Sequence, residues 1–125
     1  MEYVTHHCSR FQAENLLYHS PAGTFLLRTC QPFSSFFFLS YGEEEKQVVG
    51  EDEAERTRLV IKHRMIERTE KGYVSGNTYE TLDAILSEMK SLLHYGLRLN
   101  ENLDVVSCES MPWFNPRKVK ALRSE

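Results

Sequence analysis

Arg28 is the first residue in this chain that calls for a chemical explanation. It lies in Thr24-Phe25-Leu26-Leu27-Arg28-Thr29, a short apolar run preceded by the breaker Ser20-Pro21-Ala22-Gly23. Such a run reads as a strand. Leu26 shares a face with Arg28, and Phe25 and Leu27 share the other. A strand buried on both sides is expected to be continuously hydrophobic, and an unpaired buried guanidinium costs several kcal/mol. Something anionic should therefore meet Arg28. Two sources fit: an internal carboxylate such as Glu14, or an exogenous anion. For the second, a guanidinium fork grips two oxygens at once, which a lysine cannot do.

Other reactive side chains make weaker cases. His6-His7-Cys8 places ligand types side by side, but adjacent ligands without a second cluster do not build a tetrahedral metal site. The three cysteines, Cys8, Cys30 and Cys108, are odd in number and lack CxxC spacing. They read as reduced thiols of a cytoplasmic protein. No nucleophile, base and orienting group form a set, so the chain reads as a non-enzyme without cofactor or metal.

The elements that position these residues follow from local pattern. Ser9-Arg10-Phe11-Gln12 has the form of a capping box, and Ala13, Leu16 and Leu17 continue at helical spacing, which predicts a helix over about 10–18. Strands are expected over Thr24–Thr29, Phe36–Tyr41 and Leu59–Ile66, with a short return strand at Tyr73–Ser75. Gln31–Ser35 joins the first two as a turn. Tyr79, Leu82, Ile85, Leu86, Met89, Leu92 and Leu93 recur at helical intervals, with Thr78 as the expected cap and Gly96 as the expected end. Strands joined by short turns should pair antiparallel. The expected fold class is α+β, a central antiparallel β-sheet flanked by two α-helices.

Composition bounds the rest. The 125 residues suit one domain, and 41% hydrophobic with 26% charged residues is ordinary for a globular chain. No apolar run reaches the roughly 18 residues of a spanning helix, and the opening MEYVTHHCSR has no signal-peptide core. The net charge of −3 argues against nucleic acid and other extended polyanions. It is unevenly spread. Residues 43–55 hold seven acidic side chains against Lys46, whereas the 110–125 segment sets Arg117, Lys118, Lys120 and Arg123 against Glu125. Residues 42–57 read as a solvated acidic loop, with a bias toward basic ligands as its functional alternative. The tail reads as disordered, as docked through Trp113 and Phe114, or as a lipid-facing basic segment.

These features fall into a known order. Ala13-Glu14-x-Leu16-Leu17, Gly23-x-Phe25-Leu26-Leu27-Arg28, Leu39-Ser40, Ile61-Lys62-His63-Arg64-Met65-Ile66 and Gly72-Tyr73 resemble the motifs of the SH2 domain over about residues 5–99. The resemblance implies a monomeric, non-catalytic module that docks tyrosine-phosphorylated proteins or peptides with broad sequence tolerance. Arg28 matches the family's phosphate-binding arginine and Arg10 its first-helix arginine. Ser34 and Ser35 occupy the turn that cups the phosphate, Thr29 stands at its edge, and His63 matches the histidine that supports the pocket. Cys30 replaces a usual serine and donates weakly. Met65 replaces a usual lysine, exchanging a charge for apolar contact. Arg64, on the opposite strand face, is a candidate peptide contact.

The implied organisation is an SH2-like domain over 1–106, interrupted by the acidic loop at about 42–57, and a basic tail or extension over 107–125. The alternatives are a degenerate SH2 scaffold used without phosphotyrosine, and a phospholipid module using the basic tail. The departures imply a divergent member, such as a pathogen effector acting in host cytoplasm.

Overall fold

The computed structural model describes residues 3–31, 35–50 and 54–114. In chain order these form β1 (Thr5–His7), α1 (Arg10–Tyr18), β2 (Thr24–Thr29), β3 (Phe36–Val49), β4 (Ala54–Thr69) and β5 (Gly72–Ser75). Then come β6 (Asn77–Tyr79), α2 (Leu82–Glu88), β7 (Tyr95–Leu99) and β8 (Val105–Ser110). All the described strands join one sheet in the order β6-β5-β4-β3-β2-β7-β8, with β1 also on β2.

The class is α+β, but the sheet is mixed where an antiparallel one was expected. β3, β4, β5 and β6 follow one another as antiparallel neighbours, whereas β1 and β7 both run parallel to β2. The two share one edge of β2: β1 takes Leu27 to Thr29 and β7 takes Thr24 and Phe25. The whole of α1 separates β1 from β2, and α2 is among the elements between β2 and β7, so both parallel pairs have the long crossover that such pairing requires.

Local chemistry explains the element ends. Ser9 and Gln12 complete the expected capping box at α1. Gly23 adopts φ +89°, and a Cβ there would lie 2.5 Å from the His94 ring; only glycine lets the chain enter β2 this close to the α2–β7 connection. The second helix departs from expectation. Thr81, not Thr78, caps it, and it stops at Glu88. Gly96 lies inside β7, and Tyr79 closes β6 opposite Tyr73. Met89, Leu92 and Leu93 still pack in the core cluster of Ile85 and Leu86, from the turns after the helix. Helical spacing therefore marked a shared core and overstated the helix length.

The core divides along β2. Phe25 and Leu27 pack with Leu39, Ile66 and the α2 residues Ile85 and Leu86. Leu26 packs with Ala13 and Leu17 of α1 and with Ile61, Leu97 and Leu99. Alternate side chains of a strand point to opposite faces, so β2 feeds one cluster with each face.

The largest correction concerns 42–57. The expected acidic loop is the outer half of a long β3–β4 hairpin, in register from Phe36↔Glu67 to Val49↔Ala54. Two glutamates on β3 meet basic residues of β4: Glu45 stands opposite Arg58, and Lys62 pairs with Glu43 at 2.7 Å and Glu45 at 3.1 Å. Cross-strand opposite charges support a ladder. This arm has little apolar face, so no hydrophobic alternation advertises it.

At the other end, β8 runs across the expected 106/107 boundary. Trp113 is half-buried, donates from Nε1 to the Leu93 carbonyl at 2.7 Å, and Phe114 stacks on His94 at 4.2 Å. Residues 115–125 lie outside the described residues. No described helix is long and apolar enough to cross a membrane.

Candidate functional site

Arg28 is 2% exposed, the largest of the fully buried side chains. β2 places it on the Leu26 face, with Phe38 opposite in β3. Its Nε donates to Ser40 Oγ at 2.9 Å, Nη1 to Cys30 Sγ at 3.0 Å and Nη2 to His63 Nδ1 at 3.2 Å. The guanidinium carbon lies 4.7 Å from the centre of the Phe38 ring. Among the described residues its hydrogen-bond partners are a hydroxyl, a thiol and an imidazole. Among the described residues no carboxylate comes within ion-pair distance, and the expected internal alternative does not form: Glu14 engages Arg10 and His63 instead.

The hydrogen bonds fix the protonation pattern. An arginine N–H only donates, so His63 Nδ1 must accept. Ser40 Oγ, already accepting from Arg28, donates to the same Nδ1 at 2.7 Å. The ring proton is thus on Nε2, which donates to Glu14 Oε1 at 3.0 Å. The same oxygen accepts from Arg10 Nε at 3.0 Å. Burial lowers the His63 pKa, the hydrogen bond to Glu14 works against it, and Arg28 and Arg10 lower it further. The hydrogen bond from Arg10, then that from His63, lowers the Glu14 pKa. The network runs Arg28–Ser40–His63–Glu14–Arg10. With a neutral imidazole it carries two cations against one anion.

Three expected residues, Arg28, Cys30 and His63, meet directly. Arg10 joins through Glu14, with its side chain 72% exposed. Thr29 spends its hydroxyl on the turn, donating to Gln31 O at 2.7 Å. Ser35 is exposed and its carbonyl accepts from the Arg68 amide at 2.8 Å. Ser34 lies outside the described residues. Met65 is 54% exposed and paired with Phe38, on the strand face of His63. Arg64 points the other way, donating to Ser75 Oγ at 2.7 Å, Ser75 O at 2.9 Å and Tyr79 OH at 3.3 Å.

The sequence marked Ser40 only as part of a motif and Glu14 as an alternative partner for Arg28, so their bridging roles went unread. Register supplies the missing signal: Leu26↔Ser40 and Ser40↔His63 line up across three strands. Two further depressions lie elsewhere, one bounded by His6, Phe25, Leu97 and Met111, the other by Phe37, Arg68, Tyr73 and Asp83.

A buried arginine tied through Ser40, His63 and Glu14 to an exposed one, on a mixed sheet with two helices, marks this α+β module. The family model of the SH2 domain matches residues 3–89, and the chain belongs to the SH2 domain family. SH2 domains are phosphotyrosine-binding protein-interaction modules and are generally non-catalytic. No curated protein matches the chain.

Proposed function

We propose that this chain docks tyrosine-phosphorylated proteins by seating the phosphate on Arg28. The observation that carries this reading is a buried guanidinium with no carboxylate partner among the described residues. Arg28 engages three of its five N–H groups. The remaining two serve a phosphate, whose near-dianionic charge and three oxygens supply the missing counter-ion. Arg10 uses only Nε on Glu14 among the described residues, which leaves its fork for the same phosphate. Ser34 and Ser35 of the turn donate to the oxygens, Thr29 and Cys30 form the rim, His63 supports Arg28 from below, and Met65 offers an apolar contact to the tyrosine ring.

Broad sequence tolerance is supported by Arg64. Ser75 and Tyr79 hold it, and Tyr79 OH donates to Glu88 at 2.6 Å. This bar ties β4 to α2 on the face beyond the phosphate, and Arg64 meets the peptide only with its remaining Nη1. We place the protein in a cytoplasm, a compartment whose thiol buffer suits three free cysteines.

The test is a fluorescence titration of a phosphotyrosine peptide beside its unphosphorylated twin. The phosphorylated form should bind, and Arg28→Leu should weaken it by about a hundredfold or more, as truncating one side of a buried charge pair does. Equal affinity for the two peptides refutes the reading and favours the scaffold that works without phosphotyrosine.

A further inference from the structure

Cys8 and Cys30 stand side by side at the rim of the Arg28 socket. β1 runs parallel to β2 with Thr5 opposite Leu27, His6 opposite Arg28 and His7 opposite Thr29. One step further sets Cys8 opposite Cys30, and the Cys8 amide donating to Thr29 O at 3.2 Å carries the ladder there. Neighbouring strands lie about 4.8 Å apart, inside the Cα separation of about 4.4–6.8 Å that a disulfide spans. The two side chains also share a face. Cys8 packs in the cluster of Leu26 and Ala13, and Cys30 Sγ accepts from Arg28, which projects from the Leu26 face of β2. The Cys30 thiol points at the Cys8 carbonyl, 3.9 Å away.

We propose that Cys8 and Cys30 form a dithiol modification site, oxidised by small disulfides of the glutathione class, and that closing the bridge weakens the grip of the pocket on phosphate. The first half stands on geometry alone; the second rests on the phosphotyrosine reading. Cys30 is exposed, whereas Cys8 is 3% exposed and burial raises its thiol pKa, so Cys30 reacts first. Its thiolate attacks one sulfur of oxidised glutathione; the glutathione S–S bond breaks, and one glutathione leaves and takes up a proton. Cys8, giving up its proton, then attacks the Cys30 sulfur of the mixed disulfide and expels the second glutathione. Two protein thiols are oxidised and one oxidised glutathione is reduced to two thiols. The bridge draws the Cys30 sulfur toward Cys8, away from the Arg28 Nη1 that donates to it, and so takes away a contact that seats the guanidinium.

Cys108 provides an internal control. It is exposed on β8 opposite Leu97, on an element that no other cysteine shares. The experiment incubates the reduced full chain with oxidised glutathione, maps the disulfides by peptide mass spectrometry, and titrates a phosphotyrosine peptide before oxidation, after it, and after dithiothreitol. Expected are a Cys8–Cys30 linkage, at most a glutathione adduct at Cys108, and roughly a threefold or greater loss of affinity that dithiothreitol restores. Cys8→Ala should leave a stable glutathione adduct at Cys30. A map showing mixed disulfides only, with no Cys8–Cys30 linkage in the wild type, overturns the site. A linkage that leaves affinity unchanged overturns its coupling to phosphate. Reduced protein that prefers neither peptide refutes the phosphotyrosine reading instead, while the map still decides the dithiol.

Discussion

Ser40 has none of its surface exposed, and its hydroxyl serves two neighbours at once, accepting from Arg28 and donating to His63. That arrangement works only while the imidazole is neutral, because a proton on Nδ1 would face donors from both Arg28 and Ser40. Burial first, and then the charges of Arg28 and Arg10, lower the His63 pKa against the pull of Glu14. As pH falls, the unfolded chain takes up this proton first, near the ordinary histidine value of about 6.5. The folded state resists until its own lower pKa. Stability from the neutral ring is therefore whole above that ordinary value and drains away as pH drops toward the folded one. His6, buried and lowered by desolvation and then by Arg98, adds a slope of the same sign. The urea midpoint should accordingly fall between about pH 7.5 and about pH 5, and His63→Gln should flatten part of that fall. Parallel profiles for the two proteins would mean that His63 does not contribute. Arg28 was legible because a guanidinium in an apolar run breaks a pattern. Ser40 and Glu14 broke none: a serine within a strand and a glutamate on a helix are ordinary, and only three-strand register reveals what they touch.

At the scale of elements, legibility followed burial. α1 and β2 are packed and capped, and their limits at Arg10–Tyr18 and Thr24–Thr29 are those the residue pattern predicts. The outer β3–β4 arm failed to announce itself because its ladder rests on backbone bonds and on charge pairs such as Lys62 with Glu43 and Glu45. Hydrogen bonds that Lys62 donates to those glutamates raise its pKa, the one to Glu43 first. The short strands β6 and β7 were hidden for another reason, since Tyr79, Leu92 and Leu93 satisfy a helical template while belonging to strand and turn. The arm also makes a testable claim about function. β2 pairs with β3 only over Phe25↔Tyr41 to Arg28↔Phe38, and neither core cluster includes a residue between 42 and 58. Joining Glu45 to Arg58 through Asn-Gly, a favoured two-residue hairpin turn, keeps the Lys62 pairs and removes the rest. The shortened chain should keep its circular dichroism spectrum and bind a phosphotyrosine peptide within about twofold of the parent, since distant sites behave independently. A larger change, or a shift in preference between acidic and basic peptides, would show that the arm touches ligand.

For the whole molecule, charge and site point in opposite directions, and their relative reach decides the outcome. The chain carries a net −3, so its distant field repels a phosphorylated peptide weakly. The network ties Arg28 of β2 to Arg10 of α1 through Ser40, His63 and one carboxylate, Glu14, a local excess of cation that a net count hides. At physiological salt the Debye length is about 8 Å. Charges on the far arm and on the sheet edges are largely screened at the socket, while a contact with the buried Arg28 is not. An extended polyanion needs many cations along a surface, and this network holds two, Arg28 and Arg10. Raising salt from about 0.05 M to about 0.5 M should therefore cost a phosphotyrosine peptide less than about tenfold in affinity, because its main contact is shielded from solvent ions. Duplex DNA at about 0.15 M salt should show no measurable binding in the same fluorescence assay. If DNA binds, or if peptide affinity collapses steeply with salt, recognition runs through a diffuse basic surface and the buried guanidinium is not its centre.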